Sequence, residues 1–248
     1  MAKEIFAALH RSDDPLILYN VWDVGSAIAV AAAGAKVIAT GSLSLAGAQG
    51  YEDGERIPFP RLVETARQIA EAVELPISVD IEAGFAEDLE GLSRVAAALY
   101  DVQITGCNLE DRLIRTSYLR PVDEQAERIA AVDGAGLFVN ARTDLFLGPL
   151  MAGENPNRAE LVDAAIERAA AYRAAGAGCF FIPGLSDPAM IAQICESVDM
   201  PVNVMRLPGM VSNAELAELG VARISYGPAP WREAMAGVTE AAKAAFSA

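Results

Sequence analysis

The chain has 248 residues with 34 acidic and 19 basic side chains, so its formal charge at pH 7 is −15. So acidic a protein repels phosphate backbones and anionic membranes, and we therefore expect neither nucleic-acid binding nor membrane binding. Because 53% of the residues are hydrophobic and 21% are charged, the chain can build a large core, which excludes predominant disorder.

The N-terminal segment and the cysteines indicate a cytoplasmic protein. The N-terminus becomes charged before any long apolar run appears, so it does not resemble a secretory signal. The apolar runs are all shorter than the roughly 18 residues that a membrane span needs. Cys107, Cys179 and Cys195 are widely spaced and form no CxxC pair, which suits a reducing compartment and gives no signature of a zinc site.

Eight short apolar runs punctuate the chain, and polar or glycine residues stand at their C-terminal ends. They predict strands at residues 16–22, 36–41, 77–82, 106–110, 137–142, 179–183, 202–205 and 223–226. Segments rich in Ala, Glu and Arg with helical periodicity predict helices at residues 59–73, 89–102, 123–132 and 158–175. Asp187 and Ser212 are expected to cap further helices, because each offers a side-chain oxygen just before a first helical turn.

Near-continuous apolar strands that alternate with helices predict a parallel sheet covered on both faces. Eight such units in about 250 residues favour the α/β fold of a closed (β/α)8 TIM barrel over an open doubly wound sheet. The hypothesis of a dinucleotide-binding fold is weakened further, because no GxGxxG follows the first strand. No low-complexity linker divides the chain, so we predict a single barrel domain over residues 1–248. Its C-terminal helix, near residues 231–246, would close the barrel or be exchanged between subunits.

The scarcity of histidine and lysine limits the chemistry. His10 is the one histidine of the sequence, and Lys3, Lys36 and Lys243 are its lysines. None of these lysines ends a predicted strand, which makes a Schiff-base aldolase a poor fit. One histidine cannot build a histidine-rich zinc site, so a zinc aldolase is a poor fit as well.

Carboxylates cluster at the predicted C-terminal strand ends, where barrel enzymes place their chemistry. Strand alternation puts Asp80 and Glu82 on one face, and the next strand adds Asn108 and Glu110 in the same alternation. Asp53 lies in the loop after the second strand. Carboxylates without nearby His or Cys favour Mg²⁺ or Mn²⁺, but helix capping or salt bridging would explain the same residues.

Candidate anion-binding groups stand on three other strands. Arg142 shares a face with Asn140, where its guanidinium either binds a substrate carboxylate or only neutralises the acidic cluster. The small residues Gly41 and Ser42 let backbone N–H groups approach an anion, although such turns are common. Asn203 is either an inward hydrogen-bond donor or a support for a turn. No glycine-rich phosphate cradle follows the last two strands, so a carboxylate substrate is favoured over a phosphorylated one.

Seven segments of the chain recur in order in one enzyme superfamily. They read NVWDVGS at 20–26, GYED at 50–53, DIEAGF at 80–85, GCNLED at 106–111, NARTD at 140–144, GAGCFFIPG at 176–184 and PVN at 201–203. No single motif is decisive, but together they span almost the whole chain. The sequence therefore resembles the isocitrate lyase/phosphoenolpyruvate mutase superfamily, as a short member of the bacterial type.

The resemblance implies a (β/α)8 barrel and Mg²⁺-dependent chemistry on 2-oxo or 2-hydroxy carboxylates. Such enzymes make or break a C–C or P–C bond through the enolate of a pyruvate-like fragment. By position, Asp80 and Glu82 correspond to the metal-site carboxylates, while Asp53 and Glu110 correspond to residues that hold metal-bound water.

On the substrate side, the resemblance implies backbone donors to the substrate carboxylate and oxyanion at Gly41, Ser42 and Leu43. Arg142 corresponds to the charge clamp. In so acidic a protein, Mg²⁺, arginine and N–H donors are the groups that can stabilise an enolate. Superfamily members are often homo-oligomers that exchange a C-terminal helix, so a dimer or tetramer is expected.

The segment after Asp111 departs from the superfamily pattern. Isocitrate and methylisocitrate lyases carry Lys-Arg-Cys-Gly-His in a mobile gating loop there, whereas this chain reads RLIRTSYLR at 112–120. The missing Cys and His argue against those two activities, and the missing Lys-Thr-Asn-Ser-type loop argues against the phosphoenolpyruvate rearrangement. Arg115, Ser117 and Tyr118 are the evident replacements, with Tyr118 either a proton donor or a solvated loop residue. Glu82 also departs, because many members have Asp at that position.

We therefore expect a Mg²⁺-dependent carbon–carbon lyase or decarboxylase that acts on a small 2-oxo or 2-hydroxy dicarboxylate. The alternative is a phosphonate-handling mutase or hydrolase, for which Arg112, Arg115 or Arg120 would supply extra cationic contacts. A third possibility is a non-catalytic relative that binds a 2-oxo acid. The altered loop favours it, whereas the retained carboxylates and Arg142 argue against it.

Overall fold

Strands and helices alternate along the chain in the computed structural model, which describes residues 2–114, 116 and 118–247. The strands are β1 Leu16–Leu18, β2 Ile38–Ala39, β3 Ile77–Asp80, β4 Gly106–Glu110, β5 Phe138–Arg142, β6 Cys179–Phe181, β7 Val202–Met205 and β8 Arg223–Ser225. The helices are α1 Ala2–Ala8, α2 Val24–Ala32, α3 Ser42–Ala48, α4 Phe59–Ala72, α5 Leu89–Asp101, α6 Val122–Gly134, α7 Leu147–Met151, α8 Ala159–Ala174, α9 Pro188–Ser197, α10 Asn213–Glu218 and α11 Ala229–Phe246.

The strands form one parallel sheet in the order β1-β8-β7-β6-β5-β4-β3-β2. The two end strands meet just beyond their last residues. There, Val21 and Thr40 form a parallel bridge, and Val21 N–H donates to Ala39 O at 2.8 Å. This contact closes the ring, so the predicted (β/α)8 barrel is confirmed.

The predicted elements coincide with observed ones, and the differences lie mainly at strand ends. β1 ends at Leu18 rather than at residue 22, and β3 ends at Asp80 rather than at residue 82. Glu82 has φ 50°, a left-handed conformation in which a strand cannot continue. The alternation that placed Asp80 and Glu82 on one strand face is therefore wrong beyond Asp80. The two predicted caps are confirmed, since Asp187 accepts from Met190 N and Ser212 accepts from Glu215 N.

An aromatic cluster closes the N-terminal end of the barrel. Phe6 of α1 meets Phe138 edge-on at a centroid distance of 4.9 Å, and His10 stacks on Phe138 at 4.7 Å. Gly106 makes room for this cluster, because a Cβ there would lie 2.8 Å from Phe138 O and 2.9 Å from Phe6. With this end filled, the polar strand ends at the opposite mouth are the open face of the barrel.

The C-terminal helix α11 packs on the barrel only at its beginning. Trp231 lies against Gly47 of α3, where a Cβ would be 2.9 Å from the indole ring. Further along, Val238 is 61% exposed and Phe246 is 90% exposed. Most of α11 is thus left uncovered by its own barrel. Across the described part of the chain, no helix has the length and apolar character needed to span a membrane.

Candidate active site

Polar side chains from neighbouring strands meet at the C-terminal mouth of the barrel. Asp80 ends β3 and pairs in register with Asn108 of β4, while Glu110 ends β4 and pairs with Arg142 at the end of β5. Inward-facing residues in register across adjacent parallel strands are lateral neighbours. The fold thus gathers two carboxylates and a guanidinium that are far apart in sequence.

Asp80 is 92% buried, and backbone donors hold its carboxylate. Oδ1 accepts from Glu82 N at 3.2 Å, and Oδ2 accepts from Ser42 N at 3.4 Å. The hydroxyl of Thr40 accepts from Asp80 N at 3.0 Å and fixes the end of β3. Burial raises the pKa of Asp80 above its usual value, although the charge of Arg142 opposes the rise.

A neighbouring loop holds Glu82. Both carboxylate oxygens of Glu82 accept from Glu55 N, at 2.9 and 3.0 Å, and Glu55 in turn accepts from Phe85 N at 2.7 Å. Burial raises the pKa of Glu82 to about 8, and the nearby carboxylate of Asp53 adds to the rise. The loop between α3 and α4 therefore determines where Glu82 lies.

Arg128 of α6 supports the same segment from behind. Its NH2 group donates to Ala83 O at 2.6 Å and Ala86 O at 2.8 Å, and its NH1 group donates to Glu87 O at 3.1 Å. Three carbonyls converging on one buried guanidinium fix the turn that follows Glu82. Sequence reasoning missed this role, because nothing in a helical pattern shows which loop a helix residue will reach.

Arg142 lies between two carboxylates. NH1 is 2.9 Å from Glu110 Oε2, while Nε and NH2 donate to Asp144 Oδ1 and Oδ2 at 2.6 and 3.0 Å. Burial acts to lower the pKa of Arg142, but these carboxylates outweigh it and the pKa lies well above its usual value. A guanidinium has five N–H donors, of which Asp144 and Glu110 use three. The remaining donors have no partner among the described residues, so Arg142 neutralises the cluster and can still bind an anion.

Burial also raises the pKa of Glu110 well above its usual value, with Arg142 opposing and Asp144 adding to the rise. Asp144 was missed as a partner of Arg142, although it ends the NARTD motif two residues later. Asn20 was missed in the same way. Its side chain accepts from Tyr226 N and Gly227 N and donates to Thr40 O, which ties the ends of the ring together.

The donor set fits Mg²⁺ without forming a closed cage. Among the residues that the structure describes, no three His, Cys, Asp or Glu side chains converge closely enough to enclose a metal ion. Mg²⁺ is commonly held by one or two carboxylates and keeps several waters. Asp80 suits that role, because no described cationic side chain forms an ion pair with it and its oxygens accept only long backbone hydrogen bonds.

Several predicted site residues stand apart from this cluster. Asp53 lies exposed in the loop between α3 and α4, where it acts on Glu82 through its charge. Asn203 is fully buried, and its amide exchanges hydrogen bonds with the Ser225 hydroxyl at 3.2 Å. Leu43 lies in the first turn of α3, directly after Ser42.

The candidate residues of the loop after β4 are mostly either exposed at the surface or outside the described residues. The ring of Tyr118 is 72% exposed, and only its backbone hydrogen-bonds to other described residues, at Leu113 and Thr116. Arg115 and Ser117 lie outside the described residues. Arg112 is closer to the site, with NH1 3.9 Å from Asp144 Oδ2.

A parallel barrel with carboxylates and an arginine at its carboxyl mouth is the arrangement of a TIM-barrel enzyme. A family model described as phosphoenolpyruvate phosphomutase matches residues 6–246. The chain therefore belongs to the phosphoenolpyruvate mutase family, within the isocitrate lyase/phosphoenolpyruvate mutase superfamily, as the resemblance implied.

Three relatives illustrate the range of that superfamily. A crystal structure of a "putative phosphonomutase" from Burkholderia cenocepacia J2315 is 44% identical, with a TM-score of 0.92 over 98% of both chains. An uncharacterized protein of Mycobacterium tuberculosis is 32% identical over 96% of this chain and 88% of its own length. An oxaloacetate decarboxylase of Pseudomonas savastanoi pv. phaseolicola is 29% identical over 91% of this chain and 78% of its own length. The family supports an enzyme of the lyase and mutase type.

Proposed function

We propose that the protein is a Mg²⁺-dependent lyase that cleaves a carbon–carbon bond of a small 2-oxo or 2-hydroxy dicarboxylate through an enolate. The observation that carries the proposal is Arg142, which two carboxylates fix in place while N–H donors remain for a substrate anion. The charge of Arg142 acts on Asp80 at the same mouth of the barrel, which supports one small molecule contacting both groups. The similarity to an oxaloacetate decarboxylase supports a 2-oxo dicarboxylate as substrate.

In this proposal each site residue has a role that its surroundings support. Asp80 and Glu82 would hold Mg²⁺, with Glu110 and Asp53 acting through water, and the bound ion would supply positive charge for the developing enolate. Arg142 would bind the substrate carboxylate, and preorganised donors of this kind typically lower a barrier by about 3–4 kcal/mol each. The backbone at Gly41, Ser42 and Leu43, at the beginning of α3, would face the same anion, and Asn203 would support the mouth through Ser225.

Tyr118 remains the proposed proton donor. Because its ring is exposed, this role requires the loop at 112–120 to bring the hydroxyl to the substrate. Replacing Tyr118 with Phe should reduce turnover without changing folding, since the ring stays and only the hydroxyl is lost. Unchanged turnover in Tyr118→Phe would remove the residue from the mechanism.

A phosphonate-handling mutase or hydrolase is the second candidate function. The observation in its favour is Arg112, which puts a second guanidinium beside Asp144 at the edge of the site. A doubly charged phosphonate would use such a cation more than a carboxylate does. The similarity to a protein described as a "putative phosphonomutase" supports the same alternative.

A turnover screen by NMR would test both candidates. Oxaloacetate, 2-alkylmalates and phosphonopyruvate are each incubated with Mg²⁺, with Mn²⁺ and with chelator. Metal-dependent formation of pyruvate or another 2-oxo acid is expected, falling at least about 100-fold in Asp80→Asn, because metal charge stabilisation contributes several kcal/mol. Asp101→Asn, an exposed change at the end of α5, is the matched control. Saturable binding of a 2-oxo acid with no turnover would instead support the non-catalytic relative.

We also propose that the protein is a homo-oligomer, a dimer or tetramer, in which α11 packs on a neighbouring barrel. The exposed apolar residues Met235, Val238 and Phe246 support this, because contiguous apolar surface on a helix is normally covered. Light scattering after gel filtration should give a multiple of the chain mass. Removal of residues 235–248 should yield the monomer, and Glu240→Ala should leave the assembly unchanged. A monomeric full-length chain would contradict the proposal.

A further inference from the structure

A buried polar cluster lies behind the site, between the strand ends and α8. Asp111 directly follows β4, and its side chain is fully buried. Its Oδ2 atom accepts from Tyr172 OH at 3.0 Å and lies 3.3 Å from Arg168 NH1. Its Oδ1 atom accepts from Asp144 N at 2.9 Å. One carboxylate thus connects α8 to the loop that follows β5.

The Asp111 carboxylate is connected through one residue, Asp144, to the guanidinium of Arg142, which we propose binds the substrate. Asp144, whose backbone Asp111 holds, binds Arg142 with both side-chain oxygens. A second link runs through the backbone, where Asp111 N donates to Arg142 O at 3.1 Å. Displacement of Asp111 would therefore move Arg142 through two separate connections.

Arg168 also holds the other end of the loop after β4. NH1 donates to Arg120 O at 3.1 Å and to Tyr172 OH at 2.9 Å, besides pairing with Asp111. Arg120 N in turn donates to Asp111 O at 2.7 Å. A single guanidinium therefore contacts both ends of the segment that bears Tyr118.

The polar residue types of the cluster indicate that it positions its neighbours rather than only stabilising the fold. A buried ion pair is often no more stabilising than apolar side chains of the same volume, whereas it fixes geometry through directed hydrogen bonds. Tyr172 donates to Asp111 and accepts from Arg168, which requires a protonated hydroxyl. Burial, reinforced by the charge of Asp111, raises the pKa of Tyr172 and keeps that proton in place.

We infer that Arg168 and Tyr172 are positioning residues that set the orientation of the Arg142 guanidinium through Asp111 and Asp144. The inference rests on the proposed function only in the role it gives Arg142 toward substrate. The placement of the guanidinium itself can be measured without turnover.

Two variants perturb the cluster with different severity. Tyr172→Phe keeps the ring and removes one hydrogen bond to Asp111, whereas Arg168→Met removes every contact of the guanidinium. Arg168→Lys keeps the charge, but its nitrogen lies about one bond short of NH1, the atom that makes all three contacts, so it should restore only part of the loss. Arg173→Met is the matched control, since Arg173 lies on the same helix and its Nε donates to Asp199 O at the surface.

The direct readout is the ¹⁵N–¹H spectrum of the arginine Nε groups, in which the signal missing from Arg142→Lys identifies Arg142. Tyr172→Phe should shift or broaden that signal, and Arg173→Met should not. The functional readout is kcat and KM for a substrate identified by the proposed turnover screen. We expect kcat/KM to fall about 10-fold in Tyr172→Phe and about 100-fold in Arg168→Met, with part of each loss in kcat.

The outcomes separate the inference from the proposed function. An unchanged Arg142 signal in Tyr172→Phe and Arg168→Met would overturn the inference, whether or not the wild type is active. A lower melting temperature with unchanged kcat and KM would overturn it as well, because that result indicates a structural role alone. If the variants shift the Arg142 signal while the wild type turns over none of the acids, the result would support the positioning role and count against the proposed function.

Discussion

Acidification should destabilise the barrel through its one histidine. His10 is 93% buried beneath the barrel, stacked on Phe138, with Nδ1 3.0 Å from Phe6 O. Because a carbonyl oxygen can only accept, Nδ1 carries the proton and Nε2 does not. Nε2 is buried and has no hydrogen-bond partner among the described residues. A second proton would therefore put a charge where no described group accepts it.

The size of the effect follows from the pKa. Burial, with a smaller contribution from the charge of Arg223, lowers the pKa of His10 to about 3 from its usual value of 6.5. Between these two values the unfolded chain binds a proton that the folded chain does not, so the free energy of unfolding falls as the pH falls. Each pH unit in that window costs about 1.4 kcal/mol, which gives about 2.5 kcal/mol between pH 7 and pH 4.5. The full loss of about 5 kcal/mol is reached only below pH 3, where the folded histidine is protonated as well.

Urea denaturation of the wild type and of His10→Asn at pH 7 and pH 4.5 measures this contribution. Asn cannot titrate, and its amide can still donate to Phe6 O. Carboxylates titrate in both proteins, so the difference between their pH dependences isolates the histidine. The wild type should lose about 2.5 kcal/mol more than the variant on acidification. Parallel losses in the two proteins would refute the assignment of a neutral, buried His10.

Three further changes test the packing and the site. Gly178→Ala should lower the free energy of unfolding by about 2 kcal/mol or more, measured in urea, because the added Cβ would overlap the ring of Phe138. Arg128→Lys should lower the free energy of unfolding by about 1–3 kcal/mol, because the three carbonyls are held by two separate nitrogens and a lysine has only one. Arg94→Lys at the exposed surface should change it little, and equal effects of the two substitutions would contradict the role of Arg128. Asp144→Asn should reduce kcat/KM about 100-fold, because Asn cannot accept from Arg142 with two oxygens, and steady-state kinetics of the folded variant would show whether Arg142 depends on Asp144.

The barrel could be predicted because its signals are local and repeated. Each strand is a short apolar run and each following helix has its own period, so eight units suffice to predict the closed fold. Strand ends were less predictable. Glu82 belongs by pattern to the alternating strand, but its left-handed conformation is stabilised by Glu55 and by the turn that Arg128 holds. Those contacts come from other parts of the chain and produce no periodic pattern in the sequence around Glu82.

The candidate site, like the fold, could be predicted only in part. Asp80, Glu110 and Arg142 were predicted to meet, because the carboxyl ends of parallel strands share one mouth, and the structure places them there. The two interpretations of Arg142 turned out to be compatible, since its guanidinium neutralises two carboxylates and keeps donors for an anion. What sequence could not supply is the support behind these residues. Asp144 and Asp111 were present in quoted motifs, yet their partners come from α8 and the neighbouring strand.

The cations buried around the site are arginines, and their chemistry explains why. Arg128 satisfies three carbonyls, Arg142 two carboxylates and Arg168 a carboxylate, a hydroxyl and a carbonyl. A guanidinium can do this because its donors are planar and numerous, and because it keeps its proton when buried, whereas a buried ammonium readily loses it. The lysines instead pair with carboxylates at or near the surface, as Lys36 does with Asp14. The proposed binding of an anion inside this acidic barrel would therefore depend on arginines, each fixed by partners that keep its charge.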